Sequence, residues 1–351
     1  MTGKVSPYQG LASNKFWKSG VSEQAPTEIQ GLYTKRYTIK PTDRIATAGS
    51  CFAQHIARQM RKRGFNVLDT EPAPVALGDG DAQYFGYRLY SARYGNIYHM
   101  RQLLQLVKEC LGQHTPTDII WEKAGRYYDA LRPSVEPDGH ATPELVQRHR
   151  AAHLARVKEL LHKADIFVFT FGLTEAWEHI ASGTIYPGAP GTIAGSYDPT
   201  IYRFKNFAFN ELLSDFLEFR DIMRGINPNI KFLVTVSPVP LIATASDEHV
   251  LAATMYSKSV LRALTGQLYH EYQDIDYFPS YDLIASPFSR GMFYHPSLRT
   301  VTDNGVENAM RVFFSEHQNA VAINAAASPS KVDEGENKVV CEDVLLEAFG
   351  T

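Results

Sequence analysis

The chain has 351 residues, 44% of them hydrophobic, so it is long enough to bury a substantial core. Its formal net charge of −3 gives no global electrostatic signature of a protein that binds nucleic acid or an anionic membrane. Three scattered cysteines, Cys51, Cys110 and Cys341, do not form a disulfide framework, and no Cys/His pair has zinc-ligand spacing. We therefore expect a globular protein of the reducing cytoplasm, without a metal site.

Composition divides the chain into three parts. Residues 1–43 are rich in turn formers and aromatic residues, which predicts an N-terminal arm packed on the core. Residues 44–318 carry the apolar periodicity of an α/β domain with loop insertions, and residues 319–351 have the polar composition of a disordered tail, with a short amphipathic helix near its end. Neither the first ten residues nor any later run has the length and apolar character of a signal peptide or a membrane span, so we expect no membrane insertion.

Apolar runs alternate with helical patterns along the middle of the chain. The runs predict strands at residues 45–49, 65–68, 165–171, 230–236 and 275–278, and the helical patterns start after Cys51 and cover residues 102–111, 143–163, 210–224, 248–272 and 304–314. Residues 70–98 and 182–206 are rich in Gly, Pro and Tyr and predict long loops. This alternation predicts an α/β fold with a doubly wound, mostly parallel sheet.

A cysteine stands at the first predicted strand-to-helix junction. The run from Ile45 stops at Gly49, and Cys51 opens the helical segment. The unpaired N–H groups and positive dipole of a helix N-terminus favour the thiolate, which attacks acyl carbons. A small buried residue in a tight turn is an equally good interpretation of this pattern alone.

Acyl transfer also needs a base and donors for the oxyanion. Gly172 and Thr174 follow the strand that ends at Phe171, on the side of the sheet where ligands bind. His249, with Asp247 or Glu248 as its orienting group, and His295 in a late loop are the two main candidates for the base. His55, one helical turn after Cys51, is a third.

Five ordered segments resemble the characteristic blocks of the GSCFA-domain family. The resemblance extends from about Tyr8 to Phe314, and its segments are Gly49-Ser50-Cys51-Phe52-Ala53, Phe171-Gly172-Leu173-Thr174-Glu175, Thr235-Val236-Ser237-Pro238-Val239-Pro240, Tyr256-Ser257-Lys258 and Tyr277-Phe278-Pro279-Ser280-Tyr281. That family is similar to the SGNH/GDSL hydrolase superfamily, which implies a flavodoxin-like three-layer α/β/α sandwich. It also implies ester hydrolysis or acyl transfer, often on the O-acyl groups of carbohydrates.

The resemblance carries site roles onto this chain with three departures. The nucleophile position falls on Cys51, where the superfamily has a serine, and Thr174 stands where an oxyanion-hole asparagine is expected. The final Asp-x-x-His block is incomplete, because Met292 precedes His295 by three residues. This mismatch favours His249 as the base with Asp247 as its orienter, and leaves His295 second.

The resulting hypothesis is a Cys-His acyl-enzyme acting on an acylated carbohydrate or a related small ester, as an esterase or an acyltransferase in polysaccharide modification. We expect no cofactor, although a coenzyme A thioester is a possible acyl donor, since a similar block occurs in capsule-biosynthesis acyltransferases. The expected oxyanion or substrate-binding residues are Gly49, Ser50, Gly172, Thr174, Glu175 and Ser237.

Two other classes of function remain open from the sequence. The first is a non-catalytic module that binds carbohydrate or acyl groups through the aromatic residues between 84 and 98, although the pattern favours the simpler interpretation that these residues cover the sheet edge. The second is a redox thiol at Cys51. The lack of a nearby second cysteine argues against a dithiol cycle but not against simple redox sensing. The sequence does not indicate the oligomeric state.

Overall fold

The computed structural model describes residues 6–317 and Leu346. The predicted disordered tail and its short helix therefore lie outside the described residues, except for Leu346. In the described ranges the helices are α1 Cys51–Lys62, α2 Asp79–Tyr84, α3 Met100–Cys110, α4 Pro143–Lys163, α5 Phe209–Ile226, α6 Val250–Glu271, α7 Ser280–Ala285 and α8 Asp303–His317. The strands are β1 Ile45–Gly49, β2 Ile120–Lys123, β3 Arg126–Asp129, β4 Ile166–Phe171, β5 Glu175–His179, β6 Ile185–Tyr186, β7 Tyr202–Asn206, β8 Lys231–Val236 and β9 Ile275–Tyr277. Within these ranges, no helix combines the length and apolar character needed to cross a bilayer.

Four parallel strands form the central sheet, in the order β1-β4-β8-β9. A parallel bridge between Ile45 and Val67 adds a single residue on the outer edge of β1. If the bridge at Val67 is counted as a strand and the strands of this sheet alone are numbered along the chain, their order is 2-1-3-4-5. This is the flavodoxin-like arrangement, in which the direction of strand addition reverses beside β1. The predicted α/β sandwich with a parallel sheet is confirmed.

Helices cover both faces of this sheet. Phe167 and Phe169 of β4 pack in a core with α3, α4, α5 and α6, whereas Ile166 and Val168 face a second core with α1, α7 and α8. Every residue of β4 is buried, as expected for a parallel strand with helices on both sides. The strand C-terminal ends therefore open at one edge, between two helical layers.

The N-terminal arm contributes side chains to the second core. Ile29, Tyr33 and Ile39 are buried there. The Tyr33 hydroxyl donates to Asp276 Oδ2 at 2.8 Å and lies 2.9 Å from Nε2 of His317, whose Nδ1 accepts from the backbone N–H of Ile39 at 3.2 Å. The arm thus links the last helix to the edge strand β9.

Two sequence-based expectations about local structure are wrong. Residues 182–206, expected as a loop, contain β6 and β7, which pair with β5 in an antiparallel sheet of order β6-β5-β7. The pairing places Trp177 opposite both Tyr186 and Phe204, so aromatic contacts across strands stabilise short segments whose Gly and Pro residues suggested turns. Residues 65–68, expected as a strand, form only the bridge at Val67.

Buried histidines predict an acid-sensitive fold. Burial lowers the pKa of His99, His153 and His317 to about 4, and Arg132 adds to the effect at His153. In the unfolded chain these imidazoles titrate near their ordinary pKa of about 6.5, so between these values the unfolded state binds more protons than the folded state. Burial also lowers the pKa of His55 on α1 to about 4. We expect these four imidazoles to lower the free energy of unfolding as the pH falls from about 6.5 to about 4, with up to about four protons bound on unfolding, and to contribute no pH dependence just above about pH 7.

Urea unfolding at pH 7.5, 6 and 5 measures this dependence. Equal or greater stability at pH 5 than at pH 7.5 contradicts the assignment of neutral buried imidazoles.

Candidate active site

Cys51 is the first residue of α1 and directly follows the turn at the end of β1. Its side chain is buried, with 5% of the residue exposed. Ser50 is the helix N-cap, and Gly49 before it has a φ of 141°. A Cβ at Gly49 would lie 2.6 Å from the carbonyl oxygen of Thr170, so only glycine fits where β1 passes β4 before the turn. The thiol therefore lies at the edge of the sheet where ligands of this fold class bind.

Gly172 brings the turn after β4 against the turn that holds Cys51. A Cβ at Gly172 would lie 2.9 Å from Ser50 Cβ and 3.1 Å from the carbonyl oxygen of Tyr98. The N–H groups of Gly172 and Leu173 both donate to that Tyr98 oxygen at 3.1 Å. Since its amide is already bonded, Gly172 provides close approach here rather than the oxyanion donor expected from the sequence.

Three hydroxyl groups near these turns are buried without a hydrogen-bond partner among the described residues: Ser50 Oγ, Thr170 Oγ1 and Thr174 Oγ1. Thr170 pairs with Gly49 in the sheet register, and Thr174 follows Gly172 by two residues. Buried polar groups almost always have a partner, in the protein or in bound water. These hydroxyls are thus the groups that a polar ligand or water at this edge would satisfy.

The Lys258 amino group contacts the backbone of Gly172. The side chain lies on α6 with 2% of the residue exposed, and Nζ donates to the Gly172 carbonyl oxygen at 2.7 Å. The sequence analysis included this lysine in a family block without giving it a role. Buried positions on α6 recur at helical spacing, at Thr254, Ser257, Leu261 and Thr265, and this periodicity marks the face that carries Lys258.

His55 lies on the same helix as Cys51, one turn later. Side chains four residues apart on a helix are neighbours, and the later one leans toward the N-terminus. Burial lowers the pKa of His55 to about 4, with Arg58 acting in the same direction and the Asp303 carboxylate opposing it. At neutral pH the imidazole is therefore uncharged and able to accept a proton.

A comparison with the sequence models of protein families shows which family this chain belongs to. The sequence model of the GSCFA family matches residues 44–313, which include β1, the Cys51 turn, Gly172 and Lys258. The chain belongs to the GSCFA family. A comparison with curated proteins found no match.

The other candidate site residues in this GSCFA chain are divided between the surface and the interior. His249 is exposed and caps α6, where its Nδ1 accepts from the N–H of Leu251 at 3.1 Å. Asp247 and His295 are also exposed, and His295 donates its backbone N–H to the Thr300 carbonyl oxygen at 2.9 Å. In the described part of the chain, no hydrogen bond joins His249 to Asp247.

Ser237 and Glu175 are both buried. The N–H of Ser237 donates to the Phe171 carbonyl oxygen at 2.8 Å, which continues the pairing of β4 and β8 into the site. The Glu175 carboxylate accepts from Thr244 Oγ1 at 2.8 Å, and burial raises the pKa of Glu175, with the charge of Glu248 adding to this effect.

A groove of about 180 Å³ begins beside Gly172 in this GSCFA fold. Leu173, Glu175 and Trp177 line one side, Leu241 lies on the other, and Leu346 from the C-terminal end also lines it. The lining is mainly apolar with one carboxyl group, which suits a small organic ligand held at one polar end. The groove and the buried hydroxyls thus form neighbouring parts of one candidate site.

Proposed function

We propose that this GSCFA chain is an SGNH-like ester hydrolase or O-acyltransferase with Cys51 as its nucleophile. The observation that carries the proposal is the position of Cys51 at the first residue of α1, next to Ser50, whose buried hydroxyl has no hydrogen-bond partner among the described residues. A thiol at a helix N-terminus is favoured as the thiolate. The three scattered cysteines further support a reducing, cytoplasmic setting.

The proposed chemistry proceeds through two displacements. A histidine takes the thiol proton, Sγ of Cys51 attacks the acyl carbonyl, and the oxyanion accepts hydrogen bonds from the first-turn N–H of Phe52 and from Ser50 or Thr174. The C–O or C–S bond to the leaving group then breaks, and the leaving alcohol or thiol regains the proton. Water or a sugar hydroxyl next attacks the thioester, releasing the acid or the new ester and restoring the thiol. A coenzyme A thioester fits this scheme as a donor.

We propose His55 as the base, because it lies one helical turn after Cys51 and burial keeps its imidazole unprotonated at neutral pH. The Asp303 carboxylate favours the imidazolium that forms on proton transfer. His249 with Asp247, and then His295, remain the alternatives suggested by the sequence. These three side chains lie at the protein surface. Either histidine would act as the base only when a bound substrate or a movement of the chain brings it close to the Cys51 thiol.

Replacing each histidine separates these assignments. We expect His55→Gln to slow acylation of Cys51 by about 10²-fold to 10⁴-fold, the range of general-base catalysis. We expect His249→Gln to leave the acylation rate within about threefold and to cost about 1 kcal/mol or less of stability through loss of a helix cap.

Single-turnover acylation rates, followed by rapid quench and mass spectrometry, measure both effects. A large loss in His249→Gln with a normal rate in His55→Gln transfers the role to His249.

Binding without chemistry is the second candidate function, and the groove lined by Trp177 and Leu241 favours it. The tyrosine-rich segment gives it less support. Tyr90, Tyr94 and Tyr98 are each less than 5% exposed, so they pack inside the protein rather than forming a platform for sugars.

Covalent trapping distinguishes the two functions. The protein is incubated separately with p-nitrophenyl acetate and with acetyl-coenzyme A, and its intact mass is then measured. We expect one acetyl group per chain, located on Cys51 by peptide mapping, and the faster donor separates hydrolysis from transfer. Saturable ligand binding without any adduct supports the binding module instead.

A further inference from the structure

A second cluster of chemically reactive side chains lies between the turn after β3 and helix α4. Glu136, His140 and His149 each offer one ligand atom, and these atoms all lie within 4.8 Å of one another. The two imidazole rings have centroids 4.6 Å apart and an angle of 63° between their planes. None of these residues belongs to the proposed site at Cys51.

The protein backbone holds two of the three residues firmly. His140 forms a two-way bridge with Tyr127 of β3, in which its N–H donates at 2.6 Å and its carbonyl accepts at 2.9 Å. His149 lies on α4, whose start is fixed by the Thr142 hydroxyl accepting from the N–H of Leu145. The imidazoles are therefore presented by regular structure on both sides.

Arg93 holds the third residue. Its Nη2 donates to Glu136 Oε1 at 2.6 Å, and the Arg93 side chain is 5% exposed. The same Nη2 also donates to the carbonyl oxygens of Phe85 and Val135, at 2.7 and 3.0 Å. A carboxylate has lone pairs for an arginine and for a metal at once, and such outer partners orient metal ligands in known sites.

The donor set selects the class of ion. Two imidazole nitrogens and one carboxylate oxygen suit Zn²⁺ and related first-row transition metals, whereas Mg²⁺ and Ca²⁺ prefer oxygen ligands alone. In a tetrahedral zinc site with bonds near 2.0 Å, ligand atoms lie roughly 3.3 Å apart. The exposed His149 can close the remaining distance by side-chain rotation, and water would take the fourth position.

We propose that Glu136, His140 and His149 form a Zn²⁺-type metal site that ties the turn after β3 to helix α4. The sequence analysis expected no metal site, because no Cys/His pair has zinc-ligand spacing. The fold rather than the local sequence brings the ligands together.

Metal titration of the full-length protein tests the proposal. After removal of metal with a chelator and exchange into metal-free buffer, ZnCl₂ is added and bound zinc is measured by equilibrium dialysis with elemental analysis. We expect one Zn²⁺ per chain, a higher melting temperature on binding, and the visible absorption of tetrahedral cobalt when Co²⁺ is used instead.

His149→Ala is the informative variant, because the side chain is exposed and its loss leaves the core intact. His162→Ala, an exposed histidine on the same helix, is the matched control. We expect His149→Ala to weaken Zn²⁺ binding by at least about tenfold and to remove the shift in melting temperature. His162→Ala should behave as the wild type does.

Two outcomes overturn the proposal. One is wild-type protein that binds no stoichiometric Zn²⁺. The other is Zn²⁺ binding that survives in His149→Ala but is lost in Cys51→Ala, which assigns the metal to the thiol. Because the measurement is metal binding rather than turnover, the result is independent of the chemistry proposed for Cys51.

Discussion

Replacement of Cys51 by alanine is expected to abolish the acetyl adduct and to lower any ester turnover by about 10³-fold or more, the scale seen when a nucleophile is removed. The fold should persist, because alanine fits a buried first-turn position and Ser50 remains as the N-cap. Circular dichroism and urea unfolding establish that persistence, and the adduct is measured by intact mass.

Cys110 supplies a matched control for this experiment. Burial raises the pKa of the Cys110 thiol to about 12, with Glu109 adding to the effect, so this thiol is expected to be unreactive. Cys110→Ala should therefore acylate as the wild type does. Unchanged acylation in Cys51→Ala, or an adduct that moves to Ser50, rejects Cys51 as the nucleophile.

Replacement of Arg150 by methionine is expected to cost about 3–5 kcal/mol of stability, because it leaves buried carboxylates without their cation. Arg150 Nη1 donates to Asp129 Oδ1 at 3.0 Å, and Nε donates to Glu109 Oε1 at 2.8 Å. Burial opposes ionisation of Asp129, yet Arg150 and Arg132 hold the pKa of this carboxyl at about 2. Methionine retains most of the side-chain packing, so the loss reports mainly on charge.

Arg156→Met is the matched control for this substitution, since Arg156 lies on the same helix and pairs with Glu159 at the exposed surface. Its cost should be below about 1 kcal/mol. Equal stability losses in the two variants, measured by urea unfolding at pH 7.5, contradict the importance of the buried network. If Arg150→Met does not fold, Arg150→Lys provides the measurable comparison, with an intermediate loss expected.

This network also positions the candidate active site. Arg132 Nη1 donates to the Arg93 carbonyl oxygen at 3.0 Å, in the buried segment that runs on to Tyr98. The Tyr98 carbonyl in turn accepts both amides that follow β4. Loosening Arg150 should therefore disturb the turn at Gly172 as well as the global stability.

The sequence predicted the elements whose signal is local. β1, β4 and β8 are short apolar runs, and α4 begins and ends where its pattern indicates, at Pro143 and Lys163. β5 was missed because Glu175, Trp177 and His179 alternate in polarity within only five residues, and their partners lie in segments dominated by turn formers. Cross-strand contacts, which the local pattern does not contain, stabilise that sheet.

The strand-to-helix turn that carries Cys51 was predictable from the sequence, whereas the contacts around it were not. A glycine before a cysteine between a strand and a helix is visible in the sequence, whereas the bond from Lys258 to Gly172 depends on how α6 packs. The preference for His249 over His295 rested on motif alignment, which carries no information on burial. Only tertiary structure shows that His249 caps a helix at the surface while His55 is half-buried on α1.

The hydrogen bond from Tyr33 to Asp276 joins the N-terminal arm to the region that matches the family model, residues 44–313. Asp276 of β9 is fully buried, and its carboxylate accepts from the Tyr33 hydroxyl and from the N–H of Arg36. Both donors precede residue 44, and His317 follows residue 313, so all three lie outside the stretch that defines the family match. A fragment trimmed to residues 44–313 would keep the Tyr277 N–H, which donates to Asp276 Oδ1 at 2.8 Å, but would lose the donors from Tyr33 and Arg36 to the other oxygen of this buried carboxylate. We therefore expect stable folding to need residues on both sides of the matched region, since the arm before residue 44 contacts the end of α8 through Tyr33 and His317.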